Sequence, residues 1–308
     1  MTPRLRIVFM GTPEFAVPTL TALVEAGFHV VGVITAPDKP SGRGLQLKST
    51  PVKMTAEALG IPVLQPMLLK APEFLANLRA LQADLQVVVA FRMLPEVVWN
   101  MPPKGTINLH ASLLPDYRGA APINHAIMQG ETMTGATTFF LQHAIDTGDI
   151  IDRIQVPITP DDNAGTLHDK LMLEGAALVV KTVHAIENGT YTTHPQSGTS
   201  HKIAPKIFRE DCKINWHTSA ADLHNFIRGL SPHPGAFTDL MGSTWKILKS
   251  KPLIDDHGKA PGTISTDQKS FLRIACADGW IDILSIQAEG KKRMDIQDFL
   301  RGNRVSTE

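Results

Sequence analysis

The chain has 308 residues, with 30 Lys and Arg set against 30 Asp and Glu, so its formal net charge is zero. Hydrophobic residues make up 43% and charged residues 19%, which excludes a disordered or collagen-like polymer and leaves room for two folded domains. Without a global basic excess, any nucleic-acid contact has to come from local clusters of cations.

Cys212 and Cys276 lie far apart and lack paired metal-ligand spacing, which fits a reducing compartment without a disulfide framework. No window approaches the ~18 apolar residues of a membrane span, and the first apolar run is too short for a signal-peptide core. The expectation is a soluble, cytoplasmic protein with no membrane contact and no metal.

Ile7–Met10 is a short apolar run that stops at Gly11. Thr12-Pro13-Glu14 then predicts a helix start, with Thr12 as N-cap, Pro13 at the first helical position and Glu14 complementing the dipole. His29–Thr35, Leu85–Ala90 and Thr106–Leu109 are further strand-like runs, separated by helical stretches. Continuous apolar runs in that alternation predict parallel strands buried on both faces, a doubly wound α/β domain over residues 1–189. Ligands of such sheets bind beyond the carboxyl ends of the strands.

From Asn188 to Ser200 the chain turns rich in Gly, Thr, Ser and Pro, and residues 190–207 read as a linker. Beyond it, Ala220–Arg228 predicts one helix. Thr244–Leu248, Phe271–Ala275 and Gly279–Ile286 read as short strands punctuated by turn residues. That pattern predicts a smaller OB-like β-barrel over 208–308.

Three stretches carry chemistry-bearing residues. Asn108 and His110 alternate around Leu109 at the end of a predicted strand, so both point to one side and can donate hydrogen bonds to a developing oxyanion. An isolated Asn-x-His is equally a strand cap beside a core histidine. Asp146-Thr147-Gly148-Asp149 follows the run Gly135–Leu141; a carboxylate there could orient an imidazole, and the same four residues also make an ordinary turn. The loop Ala36–Ser49 is long and carries Lys39, Arg43 and Lys48. By contrast, Gly11 stands alone, Pro13 lacks an N–H and Glu14 is negative, which argues against a dinucleotide or phosphate site.

Asn108, His110, Ser112-Leu113-Leu114-Pro115 and Asp146-Thr147-Gly148-Asp149, in this order and spacing, resemble the folate-dependent formyltransferases. Phe9-Met10-Gly11-Thr12-Pro13-Glu14-Phe15-Ala16, Pro37–Gly44, Arg118–Ile123, Ile214-Asn215-Trp216, Ile227–Pro232, Pro234–Phe237 and Gly290–Met294 are similar to the methionyl-tRNA formyltransferase family across nearly the whole chain.

The resemblance implies formyl transfer from 10-formyltetrahydrofolate to the α-amine of initiator methionyl-tRNA, with Asn108, His110 and Asp146 as catalytic residues and no metal. It implies a folate pocket from Ser112, Leu113, Leu114, Pro115, Phe91, Arg92 and Leu94. Ser112 has no neighbouring base and shapes the loop. Phe15 would line the methionine pocket. Lys39, Arg43 and Lys48 would reach the tRNA from the N-terminal domain, and Lys246, Lys249, Lys291 and Lys292 from the C-terminal one, in a monomeric enzyme.

Two stretches depart from the family pattern at the walls of that pocket: Val89–Pro95 lacks a Tyr-Gly pair, and His143 stands where a non-titrating residue is expected. A formyltransferase for an amino-sugar nucleotide would share the catalytic pattern. A non-catalytic RNA-binding module would account for the second domain alone, and a nicotinamide enzyme would need a glycine-rich turn that is absent.

Overall fold

The computed structural model describes residues 4–41, 46–197, 202–240 and 242–305. It forms two compact units, Met1–Arg118 with Gly135–Val156 and His168–Lys202, and Gly119–Thr134 with Pro157–Leu167 and Ile203–Glu308.

The first unit is built on a sheet of seven strands: β1 (Arg6–Gly11), β2 (His29–Ile34), β3 (Val63–Leu64), β4 (Leu85–Val89), β5 (Thr106–His110), β6 (Met133–Phe140) and β7 (Ile150–Pro157). Their order is β7-β6-β5-β4-β1-β2-β3. β1 to β5 pair in parallel and β6 runs antiparallel to β5, giving the mainly parallel α/β sheet the apolar runs imply. Val8, Met10, Ile34 and Val88 pack with Phe74, Leu78 and Val98 on one face. Ile7 and Phe9 alternate with them and are equally inaccessible. Both faces are therefore covered, which is why these strands lack a polar alternation.

The helix expected from Thr12 begins later. A short 3-10 turn, Glu14–Ala16, comes first, and the helix proper is Val17–Glu25, with no side chain capping either start. The cause is Pro18 in its first turn: in a continuous helix its ring would strike the carbonyl of Glu14. The long helix Ala164–Asn188 lies hard against β5, because a Cβ on Gly175 would stand 2.8 Å from Leu109 Cδ2.

In the second unit the strands Ala236–Leu240, Ser243–Ile254, Gly279–Ala288, Leu272–Cys276 and Ile264–Thr266 lie side by side in that order, with Met294–Asp295 also on Gly279–Ala288. Every pair is antiparallel. Register shifts around Lys249 bend the long strand Ser243–Ile254, as expected of a barrel-like sheet. The helix Ala220–Gly229 is capped by Ser219, which accepts from the Asp222 amide, and it buries Leu223 and Ile227 against Trp245, Ile247 and Ile283. Cys212 and Cys276 are free thiols in this core, and burial pushes both above the usual thiol pKa, so they act as packing groups. Among the described residues no helix is long and apolar enough to cross a membrane.

Candidate active site

The carboxyl end of β5 carries Asn108 and His110. In register, Asn108 lies between Val88 of β4 and Phe139 of β6, and His110 lies opposite Thr137. Asn108 is half-buried and His110 only 6% exposed. The His110 Nε2 is 2.8 Å from the Tyr117 carbonyl oxygen. A carbonyl only accepts, so Nε2 carries a hydrogen and is committed to the backbone. The nitrogen left for chemistry is Nδ1, which faces Asp146 Oδ2 at 3.7 Å. That separation is longer than a direct hydrogen bond.

Asp146 reaches this place through unusual backbone. Its φ is +53°, in the left-handed region that side chains other than glycine rarely occupy. Two residues on, a Cβ at Gly148 would lie 1.6 Å from the Phe140 carbonyl oxygen, so only glycine lets the loop pass the end of β6.

The loop after His110 is held from inside. Ser112 is fully buried and its hydroxyl donates to the Asp116 carbonyl at 2.6 Å, so it shapes the turn. Thr137 Oγ1 donates to the Ser112 carbonyl at 2.7 Å and accepts from the Leu114 amide at 3.2 Å. Leu114 is fully buried with Phe139 and Ile150. Leu113 and Pro115 stay partly exposed, and these are the side chains of the loop that a ligand can touch.

On the neighbouring loop Phe91 is half-buried, Leu94 buried and Met93 exposed. Arg92 donates to the carbonyls of Pro66 and Met67. Burial lowers its pKa. Its guanidinium therefore ties two loops together. His143 turns outward, 3.6 Å from Glu96 and edge-on to Trp99. Among the described residues no group of three metal donors is present.

The basic loop holds a short ribbon, Lys39–Ser41 paired antiparallel with Gln46–Lys48. Lys39 and Lys48 are exposed and directly opposite one another, a pairing of like charges that an anion would relieve. Arg43, expected to reach the tRNA with them, lies outside the described residues. The base is anchored by Asp38, which accepts from Lys53 at 2.6 Å and Gln65 at 2.8 Å; these bonds pull its pKa below the usual carboxylate value. Phe15 is buried and meets the His168 ring edge-on at 5.1 Å.

In the second unit the sheet register unites two lysine clusters that are distant in sequence. Lys246 pairs with Gln287, whose side chain donates to the Lys291 carbonyl, and Lys249 pairs with Ser285. Lys249, Lys291 and Lys292 are exposed. Lys246 lines a cleft of about 500 Å³ together with Phe208, Arg209 and Phe237.

Three residues that hold this site together carry no sequence signal of their own: Thr137 and Gln196 through their side chains, and Tyr117 through its backbone carbonyl. Tyr117 and Gln196 work through backbone carbonyls. Thr137, inside an apolar strand run, is hidden by its neighbours. Only the period-two position of Thr137 opposite His110 could have betrayed it.

Comparison with known proteins is consistent across both units. A formyl transferase family model matches residues 5–183, and a model of the formyl transferase C-terminal domain matches 206–304. Methionyl-tRNA formyltransferases of Bacteroides fragilis and Flavobacterium johnsoniae are 53% and 49% identical, covering 97% and 99% of this chain and 95% and 98% of theirs. An N-formyltransferase from Helicobacter canadensis, solved with folinic acid and dTDP-3-aminofucose, shares the fold at a TM-score of 0.67 and 22% identity, covering 94% of this chain and 100% of its own. Sequence similarity of this extent, with both domain families in order, decides between them: the chain belongs to the methionyl-tRNA formyltransferase family.

Proposed function

We propose that this chain moves the formyl group of 10-formyltetrahydrofolate onto the α-amine of methionine carried by initiator tRNA. The observation that carries the reading is His110 Nδ1 facing Asp146 at 3.7 Å at the carboxyl end of β5, two residues beyond Asn108 on the same strand, in a chain about half identical to methionyl-tRNA formyltransferases along its length.

The residues suit the chemistry. When the amine attacks the formyl carbon, negative charge gathers on the formyl oxygen. Asn108 and His110 on the strand end would donate to that oxygen, and losing one such donor costs about 10²–10³ in rate. The amine must shed a proton and the leaving nitrogen must gain one. A water held by the Asp146 carboxylate beside the imidazole would carry it. Leu113, Pro115 and Phe91 would supply apolar walls for a flat pterin ring, with Arg92 holding the wall together. Lys39 and Lys48 of the ribbon, and the lysines of the second unit beside an aromatic-lined cleft, suit a phosphate backbone.

The sugar-nucleotide alternative rests on a likeness at 22% identity, which speaks for the fold alone. An RNA-binding module without catalysis leaves the pairing of buried His110 with Asp146 without a purpose. The test is radiolabelled formyl transfer from 10-formyltetrahydrofolate to methionyl-tRNA beside a dTDP-amino sugar. Label appears on the tRNA; label on the sugar alone overturns the reading.

A further inference from the structure

We propose that Gln196 is a positioning residue that holds the Asp146 loop in register with His110; this rests on the reading of those two groups as the proton-handling pair. Gln196 lies in the polar stretch between the two domain families, a segment without periodicity. It is nevertheless fastened to the first unit: Ile150 and His194 exchange backbone hydrogen bonds at 2.8 and 2.9 Å. Two residues later the Gln196 Nε2 donates to the carbonyls of Asp146 and Gly148, both at 2.9 Å. Its Oε1 accepts from Arg118 Nε at 3.1 Å and Nη2 at 2.5 Å.

Both N–H groups and both lone pairs of the carboxamide are thus used. Carbonyls on one side and a guanidinium on the other leave only one orientation of the amide. What those bonds hold matters more than their number. Arg118 follows Tyr117, whose carbonyl fixes His110 Nε2, and Asp146 faces His110 Nδ1. Tyr117 and Asp146 both sit in the left-handed region, at φ +60° and +53°, a conformation that persists only when the surroundings impose it. Gln196 therefore braces Asp146 directly and ties its loop to Arg118, the residue that follows Tyr117.

The role predicts a pattern that anchoring Arg118 alone would not. Gln196→Glu keeps an oxygen for Arg118 but turns a second oxygen, without hydrogens, toward two carbonyls. Gln196→Ala removes both sets of bonds. Each variant should lose about 10- to 100-fold in kcat. The KM for the folate should change less than threefold. Hydrogen exchange of a peptide covering residues 141–149 should quicken in both variants, a readout that needs no substrate and separates failure of this proposal from failure of the proposed activity. Wild-type kcat and exchange in Gln196→Glu would overturn the clamp, as would a change confined to KM. A variant that fails to fold would show lost protection throughout the first unit instead of in 141–149, which also overturns a local role.

Discussion

Gly148→Ala isolates the geometry of the Asp146 loop without touching a polar group. The added Cβ would lie 1.6 Å from the Phe140 carbonyl oxygen and 2.8 Å from its carbon. Carbon and oxygen need roughly 3.0–3.5 Å, so the backbone has to yield by about 1.5 Å. The end of β6 is the stiffer side: Phe139 is fully buried, and Phe140 N donates to the Asp149 carbonyl at 3.0 Å. The displacement therefore falls on the loop, which opens the 3.7 Å spacing of Asp146 from His110. A misplacement of about 1 Å costs on the order of 10²-fold in rate, so kcat for methionyl-tRNA formylation should drop about 100-fold with folate affinity little changed. Gly189→Ala is the control, since its φ of +67° strains any substitute but nothing lies within 4 Å of the new carbon. It should cost about 1 kcal/mol of stability and no turnover. Steady-state kinetics with thermal melts of both variants decides the matter. Wild-type kcat in a folded Gly148→Ala protein would refute the claim that Asp146 must be held to this accuracy.

Thr137→Val strips the Ser112 carbonyl of its donor and leaves the buried Leu114 amide without its acceptor, so urea unfolding should show a loss of about 1–3 kcal/mol; an unchanged midpoint would contradict the structural role. Burial, and then the charge of Arg228, hold the His224 imidazole below its ordinary 6.5. The unfolded chain then takes up a proton before the folded one, so this contribution to stability is complete above 6.5 and is lost as pH falls toward the folded value. His224→Gln should flatten the decline in urea midpoint across that window, and parallel curves would dismiss the assignment. Replacing Lys246, Lys249, Lys291 and Lys292 together with Gln should flatten the salt dependence of tRNA binding by up to ~0.9 in log–log slope for each phosphate that is no longer neutralised. An unaltered slope makes these lysines a solvated face.

The buried parallel strands were readable because coverage on both faces leaves an unbroken apolar run, as in Ile7–Met10. Asn108 and His110 were readable as a period-two pair, and their meaning came from the ordered motifs around them. The helix start was misplaced because a capping pattern at Thr12 is a local signal, while Pro18, six residues on, decides where continuous helix becomes possible. The ribbon in the basic loop carries no apolar alternation for its pairing to follow. Gln196 was out of reach for another reason: a side chain whose partners are carbonyls some 50 residues away leaves no periodicity and no composition signal. The tautomer of His110 likewise depends on where the Tyr117 carbonyl points, which only the folded loop determines.

Formyl transfer to methionyl-tRNA through Asn108, His110 and Asp146 is measured most directly as the single-turnover rate with saturating 10-formyltetrahydrofolate. Asn108→Ala, His110→Ala and Asp146→Ala should each slow the transfer step by at least about 10²-fold. Folate dissociation constants should stay near the wild-type value, because the pocket walls come from the neighbouring loops. Transfer at the wild-type rate by Asn108→Ala or His110→Ala, in protein that still binds folate, would contradict the account.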